Sequence, residues 1–249
     1  MFALLLFVAT AAALRGMWSP CGLSMLSTLN PVSERARGHR FWATACWYVG
    51  GALVGSAVLG SGCALVAFGF GRLDASASVK WSLALAGAAV AVLSDTRVGG
   101  WSLPLRPRQV DERWVDRYRR WLYASGYGVQ IGSAFATYIM SAAVYLVALV
   151  SVLTGSAAQA FAGCLAFGLV RGFSVLVAAA GRTPESLHAL IRRVDAAAGV
   201  SALAAAAACA VVGVVAAWEL AGTIPACAVG VAFAGALAYS VHDAAARAA

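Results

Sequence analysis

The chain has 249 residues, 62% of them hydrophobic and only 11% charged, with a mean hydropathy of +0.82. A soluble domain is about half apolar and about a quarter charged, so these figures exclude one and indicate an all-α integral membrane protein. The net charge of +8 does not point to a nucleic-acid partner, because the basic residues gather in loops between apolar runs, where membrane proteins keep them.

Seven apolar segments follow one another at roughly 2–29, 41–70, 79–94, 124–153, 160–180, 196–218 and 223–241. Each is long enough, or nearly so, to cross the hydrocarbon core, which predicts about seven transmembrane helices surrounded by lipid bilayer. Assigning the loops alternately to two sides separates the charges. One side receives Arg35, Arg37, Arg40, Arg97, Arg106, Arg108, Arg113, Arg117, Arg119, Arg120, Arg182, Arg192, Arg193 and Arg247, fourteen in all, against Arg72 and Lys80 on the other. Basic residues mark the cytoplasmic side, so a multi-pass cell-membrane protein is expected with its N-terminus outside and its C-terminus in the cytoplasm. Residues 1–14 lack the basic start of a secretory signal and are read as part of the first span.

The first segment is interrupted by Arg15-Gly16-Met17-Trp18-Ser19-Pro20-Cys21-Gly22. Proline removes an intrahelical hydrogen bond and the glycines loosen the helix, so a break is expected here. Broken helices at membrane depth line cavities or binding sites. Arg15, with apolar residues on both sides, costs about 2.5–3.5 kcal/mol at mid-span, and a cation placed there faces a functional cavity. Arg171, inside the fifth segment, makes the same argument. Cys21 beside such a cation, at the start of the helix after Pro20, is a candidate thiol nucleophile, against the simpler reading of a space-filling buried cysteine.

Glycines spaced four apart, Gly51 with Gly55 and Gly128 with Gly132, read as close helix packing. In the loop from Asp95 to Arg120, Pro104 and Pro107 hold the first half extended. Val110, Trp114, Tyr118, Trp121 and Leu122 then recur at helical spacing, predicting an interfacial amphipathic helix. Gln130 opens the fourth segment as a polar group for a pathway or a helix–helix hydrogen bond.

Comparison of the two halves at an offset of 118 places Ser19 on Thr137 and Cys46 on Cys164. Three helices repeated in tandem must insert in opposite orientations, so the layout reads as an inverted repeat of three helices plus one. The divisions are 1–94, a loop at 95–123, a second half at 124–218, and a last helix with its tail at 219–249. The acidic residues are placed in loops or at span ends, which argues against a carboxylate proton relay. His39, His188 and His242 lack metal-ligand spacing, and no phosphate-binding glycine loop occurs, so neither metal nor cofactor is expected.

The run SPCGLSMLSTLNP after an apolar N-terminus resembles the first span of the CcdA and DsbD-type transmembrane family of cytochrome c biogenesis. That family carries a Pro-Cys motif in the first helix of each inverted half. The resemblance implies thiol–disulfide transfer of reducing equivalents from a cytoplasmic thioredoxin to an extracytoplasmic thiol protein, with Cys21 as one redox cysteine. The second half departs from the pattern: FATYIMSAAVYL places Tyr138 and Ile139 where Pro20 and Cys21 stand in the first. A two-cysteine relay then needs Cys164 as partner, or else Cys46, Cys63, Cys209 or Cys227. Two other readings stand beside this one, a permease for a small anionic solute lined by Arg15 and Arg171, and a structural subunit of a membrane complex.

Overall fold

The computed structural model describes residues 1–103 and 113–248, and every regular element among them is helical. The chain begins with α1 (Phe2–Arg15), a 3₁₀ turn at Gly16–Trp18, and α2 (Pro20–Thr28), which is bent 64° from the helix before it. The break has a local cause. Ser19 is extended, its hydroxyl donates to the Gly16 carbonyl at 2.7 Å, and the same oxygen accepts from the Gly22 amide at 3.1 Å. Pro20 follows at the first helical position, where its missing N–H costs nothing.

Asn30 joins α2 to the short α3 (Pro31–Ala36), capping the new helix while its amide closes the last carbonyls of the old one. Then comes α4 (Phe41–Arg72), 32 residues and about 48 Å at the usual helical rise. It is followed by α5 (Ala77–Thr96), the single turn α6 (Trp114–Arg117), α7 (Arg120–Gly132) and α8 (Ala143–Leu153). The remaining helices are α9 (Ala157–Phe173), with a 3₁₀ extension to Ala180, then α10 (Pro184–Ala196), α11 (Ala198–Ala221) and α12 (Thr223–Ala248).

Five helical stretches are long and apolar enough to cross a membrane: α4, α5, α9 with its extension, α11 and α12. The bent pair α1–α2 makes a sixth if it is one span. The fourth apolar segment is not the single helix expected. It is interrupted from Ser133 to Ala142, where Ala134 takes a left-handed φ of 58°. No proline marks this second break; α8 restarts because its N-terminus is capped from α5, as described below.

The long α4 is the centre of the packing, lying along α7 on one side and α9 on another. A Cβ built on Gly51 would stand 2.1 Å from the Ser125 carbonyl, and one on Gly132 2.1 Å from that of Ala52. Gly55 and Gly128 meet Val129 and Tyr48 in the same way, so the two four-residue glycine pairs form one seam with backbone against backbone. Opposite this seam α1, α8 and α9 enclose Leu5, Val8, Leu146, Val147 and Phe167, while α5 and α11 pair and carry α12. Outward-facing apolar residues such as Val58, Leu65, Ile224 and Val231 are 67–84% exposed, which fits a lipid surround.

One loop expectation is corrected. Among the described residues the predicted interfacial helix is split: Trp114–Arg117 forms a helical turn, the chain is extended at Tyr118, the Trp114 ring stacks on Tyr127, and Trp121 and Leu122 belong to the first turn of α7. Pro104, Pro107 and Val110 lie outside the described residues. The amphipathic surface helix is instead α10, opened by a Thr183–Ser186 capping box and Pro184.

Candidate functional site

The two helix breaks face one another across α9. From the first, Arg15 and Gly16 reach a small enclosed cavity of about 10 Å³; from the second come Ala134, Tyr138 and Ser141; Phe167 and Arg171 of α9 complete it. That volume is room for about one water molecule. A polar cavity of about 260 Å³ adjoins it, sharing Arg15, Tyr138, Met140 and Ser141, and adding Ser94, Asp95 and Arg97.

Arg15 does not sit isolated at mid-span. It ends α1, and its guanidinium donates to the Ser201 hydroxyl at 2.7 Å and to the Ala198 carbonyl at 3.2 Å, in the first turn of α11. Trp18 holds the same junction, its indole N–H donating to the Val194 carbonyl at 2.5 Å. The break is thereby fastened to the end of a long helix, so the charge lies at that level of the fold.

Arg171 is the deeper cation, 5% exposed on α9. Its guanidinium lies so close to Gly16 that a Cβ there would overlap Nη1, and it stands 5.9 Å from the Phe167 ring. Its electrostatic neighbours are the Tyr48 hydroxyl of α4 and the Cys21 thiol of α2. No carboxylate pairs with Arg171 among the described residues. Its Nε, the Thr137 hydroxyl and the Tyr48 hydroxyl are buried without hydrogen-bond partners among the described residues. Unsatisfied polar atoms in a buried site mark room for a water or a ligand group.

The cysteines divide differently from the expected pair. Cys21 is buried at 2% exposure in the core cluster that also holds Tyr48, Tyr127, Ile131 and Val175. Cys164 belongs to a separate cluster, packed against the Cys63 thiol of α4, with the Ser151 hydroxyl 3.8 Å away. Seven residues of α9 separate Cys164 from Arg171, about 10 Å along the helix, so the structure does not bring Cys21 and Cys164 together. Gln130 is half-buried on α7 and does not line the cavity between the two arginines. Pro20 acts as the first residue of α2 and lines neither cavity.

Two carboxylates, one at a span end and one between spans as expected, are structural groups with buried hydrogen bonds. Asp95, at the end of α5, accepts from the Ser141 hydroxyl at 2.5 Å and the Ala142 amide at 2.7 Å, capping α8 from another helix. Glu34 is fully buried and accepts from Thr44, from Tyr123 at 3.0 Å and from Arg37 at 2.9 Å. In sequence both look like loop acids. The signal for Glu34 is its place in a Pro-x-x-Glu turn after a capping Asn30; nothing local distinguishes Asp95.

Three known proteins resemble the chain over most of its length. The methylamine utilization protein MauF of Paracoccus denitrificans is 30% identical over 181 residues, covering 71% of this chain and 64% of that protein. MauF of Paracoccus versutus is 32% identical over 184 residues, 68% of this chain and 62% of the relative. MauF of Methylorubrum extorquens is 29% identical over 177 residues, with coverages of 68% and 60%. The match therefore spans slightly under two thirds of each relative. No family model matches the chain, and no solved structure is similar to it.

Proposed function

We propose that the chain is a seven-segment membrane protein of a methylamine-utilization type system that passes reducing equivalents by thiol exchange at Cys21. The observation that carries this reading is the position of Cys21: second residue of a capped helix, at a break, within electrostatic reach of the buried Arg171. A sulfur that attacks or leaves a disulfide gathers negative charge, and a helix N-terminus and a guanidinium both stabilise that charge. The Pro-Cys context resembles the CcdA and DsbD-type family, and the facing breaks suit the inverted repeat, since the offset of 118 carries Ser19 onto Thr137 within the second break.

The exchange balances without a further oxidant. The Cys21 sulfur attacks an extracytoplasmic protein disulfide, forming a mixed disulfide and releasing one thiol, which takes up a proton. A dithiol reductant of thioredoxin type attacks the Cys21 sulfur, frees the second substrate thiol, and closes its own disulfide as it releases Cys21. Two electrons and two protons pass from reductant to substrate. With the cations at the site, methylammonium is a poor passenger, so the reading places the chain in thiol maintenance of such a system and not in amine uptake.

A second reading, a path for a small anion, is favoured by one observation: Arg15 and Arg171 line the same enclosed cavity. One experiment separates the two. Purified wild type and Cys21→Ser are cycled between a disulfide oxidant and a dithiol, then trapped with a mass-tagged maleimide. A reversible mass shift that disappears in the variant supports thiol exchange. An unreactive Cys21, together with Arg171-dependent anion uptake into vesicles, would replace it with the permease.

A further inference from the structure

Away from the breaks, three arginines from separate stretches of chain converge. Arg35 lies on α3, Arg40 at the entrance to α4, and Arg182 just after the extension of α9; with His39 they border a cleft of about 780 Å³. None of the three arginines forms an ion pair among the described residues. Among the described residues no acid lines the cleft; the neighbouring carboxylate, Glu34, is buried and held by Arg37, Thr44 and Tyr123, with His39 at 3.7 Å. No described carboxylate therefore neutralises the three arginines, although gathering them in one concavity has an electrostatic cost.

The other wall is apolar. Phe41 is buried against the fold, while Trp42 is 61% exposed at the point where the long apolar α4 begins. An exposed indole at the end of a membrane helix marks the level of lipid headgroups. Cations above and an aromatic wall below match an amphiphile with an anionic head, and a fully soluble anion would leave the tryptophan side unused. We propose that this cleft binds the headgroup phosphate of an anionic phospholipid through Arg35, Arg40 and Arg182, with the acyl chain running down past Trp42.

The inference does not depend on thiol exchange or on transport, and its test reads lipid rather than activity. The full-length protein is placed in nanodiscs of phosphatidylcholine with or without phosphatidylglycerol, and bound lipid is measured by native mass spectrometry after release. Wild type is expected to retain phosphatidylglycerol selectively, and each Arg→Gln substitution to weaken retention about fivefold, from the known contribution of a basic residue at an anionic surface. R35Q/R40Q/R182Q is expected to retain the two lipids equally, and the single Arg182→Gln variant, in an exposed turn, keeps the test readable if the triple variant does not fold. Equal selectivity in Arg182→Gln and wild type would overturn the proposal. So would displacement of phosphatidylglycerol by soluble glycerol 3-phosphate, which would assign the cleft to a free phosphate.

Discussion

Asp95 shows how much one side chain can hold in this fold. Its two oxygens take the Ser141 hydroxyl and the Ala142 amide, and the Ser141 oxygen in turn accepts from the Ala143 amide at 3.1 Å. These contacts satisfy the N-terminus of α8, which otherwise begins in the interior with unpaired amides. Arg15 borders the same cavity, so the carboxylate also balances a neighbouring cation. Asp95→Ala removes both acceptors and leaves two buried donors unsatisfied, at about 1–3 kcal/mol each. The expected result is a clear drop in thermal midpoint in detergent, with a smaller drop for Asp95→Asn, which keeps one acceptor oxygen. An unchanged midpoint in Asp95→Ala would show that α8 is not capped from α5.

At the scale of helices, the glycine seam between α4 and α7 makes a sharper claim. Every Cβ added at Gly51 or Gly132 meets a backbone carbonyl at 2.1 Å, and a backbone cannot rotate aside as a side chain can. Gly51→Ala or Gly132→Ala must force α4 and α7 apart, and overpacking of this kind costs about 1–3 kcal/mol. Gly62, on the same α4, has nothing within 4 Å of its would-be Cβ, so Gly62→Ala is expected to be neutral or slightly stabilising. Thermal midpoints of the three variants decide it, and equal behaviour would sink the seam. The spacing of these glycines was readable as packing, but which helix they met was not, because spacing carries no partner. Likewise the first break announced itself through Ser19-Pro20. The second did not, since Ser133–Ala142 contains no proline and depends on an acid some forty residues earlier. The helix α10 was legible in Thr183-Pro184 and its apolar spacing, yet it lay hidden between two stronger apolar runs. Cys21 and Arg171 were legible as unusual residues; their electrostatic pairing, and the contact of Cys63 with Cys164, depends on tertiary structure that no local pattern encodes.

For the molecule as a whole, the topology turns on whether the broken α7–α8 segment crosses the bilayer. The charge distribution and the seven-segment reading require that it does, which would put the α4–α5 loop outside and the turn after α9 inside. Neither half-helix is long enough alone: α7 has 13 residues and α8 has 11, about 20 Å and 17 Å against a core of about 30 Å. Together, with the intervening chain partly buried and tied to Asp95 of α5, they suffice, because non-helical backbone is tolerated where protein covers it. Between Ser78, exposed at the start of α5, and Arg182, exposed after α9, the chain passes through α5, α7–α8 and α9. Three crossings place these residues on opposite sides, whereas two place them on the same side. In a background with the native cysteines replaced, Ser78→Cys is expected to react with a membrane-impermeant maleimide in intact cells, and Arg182→Cys only after lysis. Labelling of both from the same side would mean that α7 and α8 form a re-entrant pair. The reverse order would keep the crossing and invert the orientation drawn from the arginines.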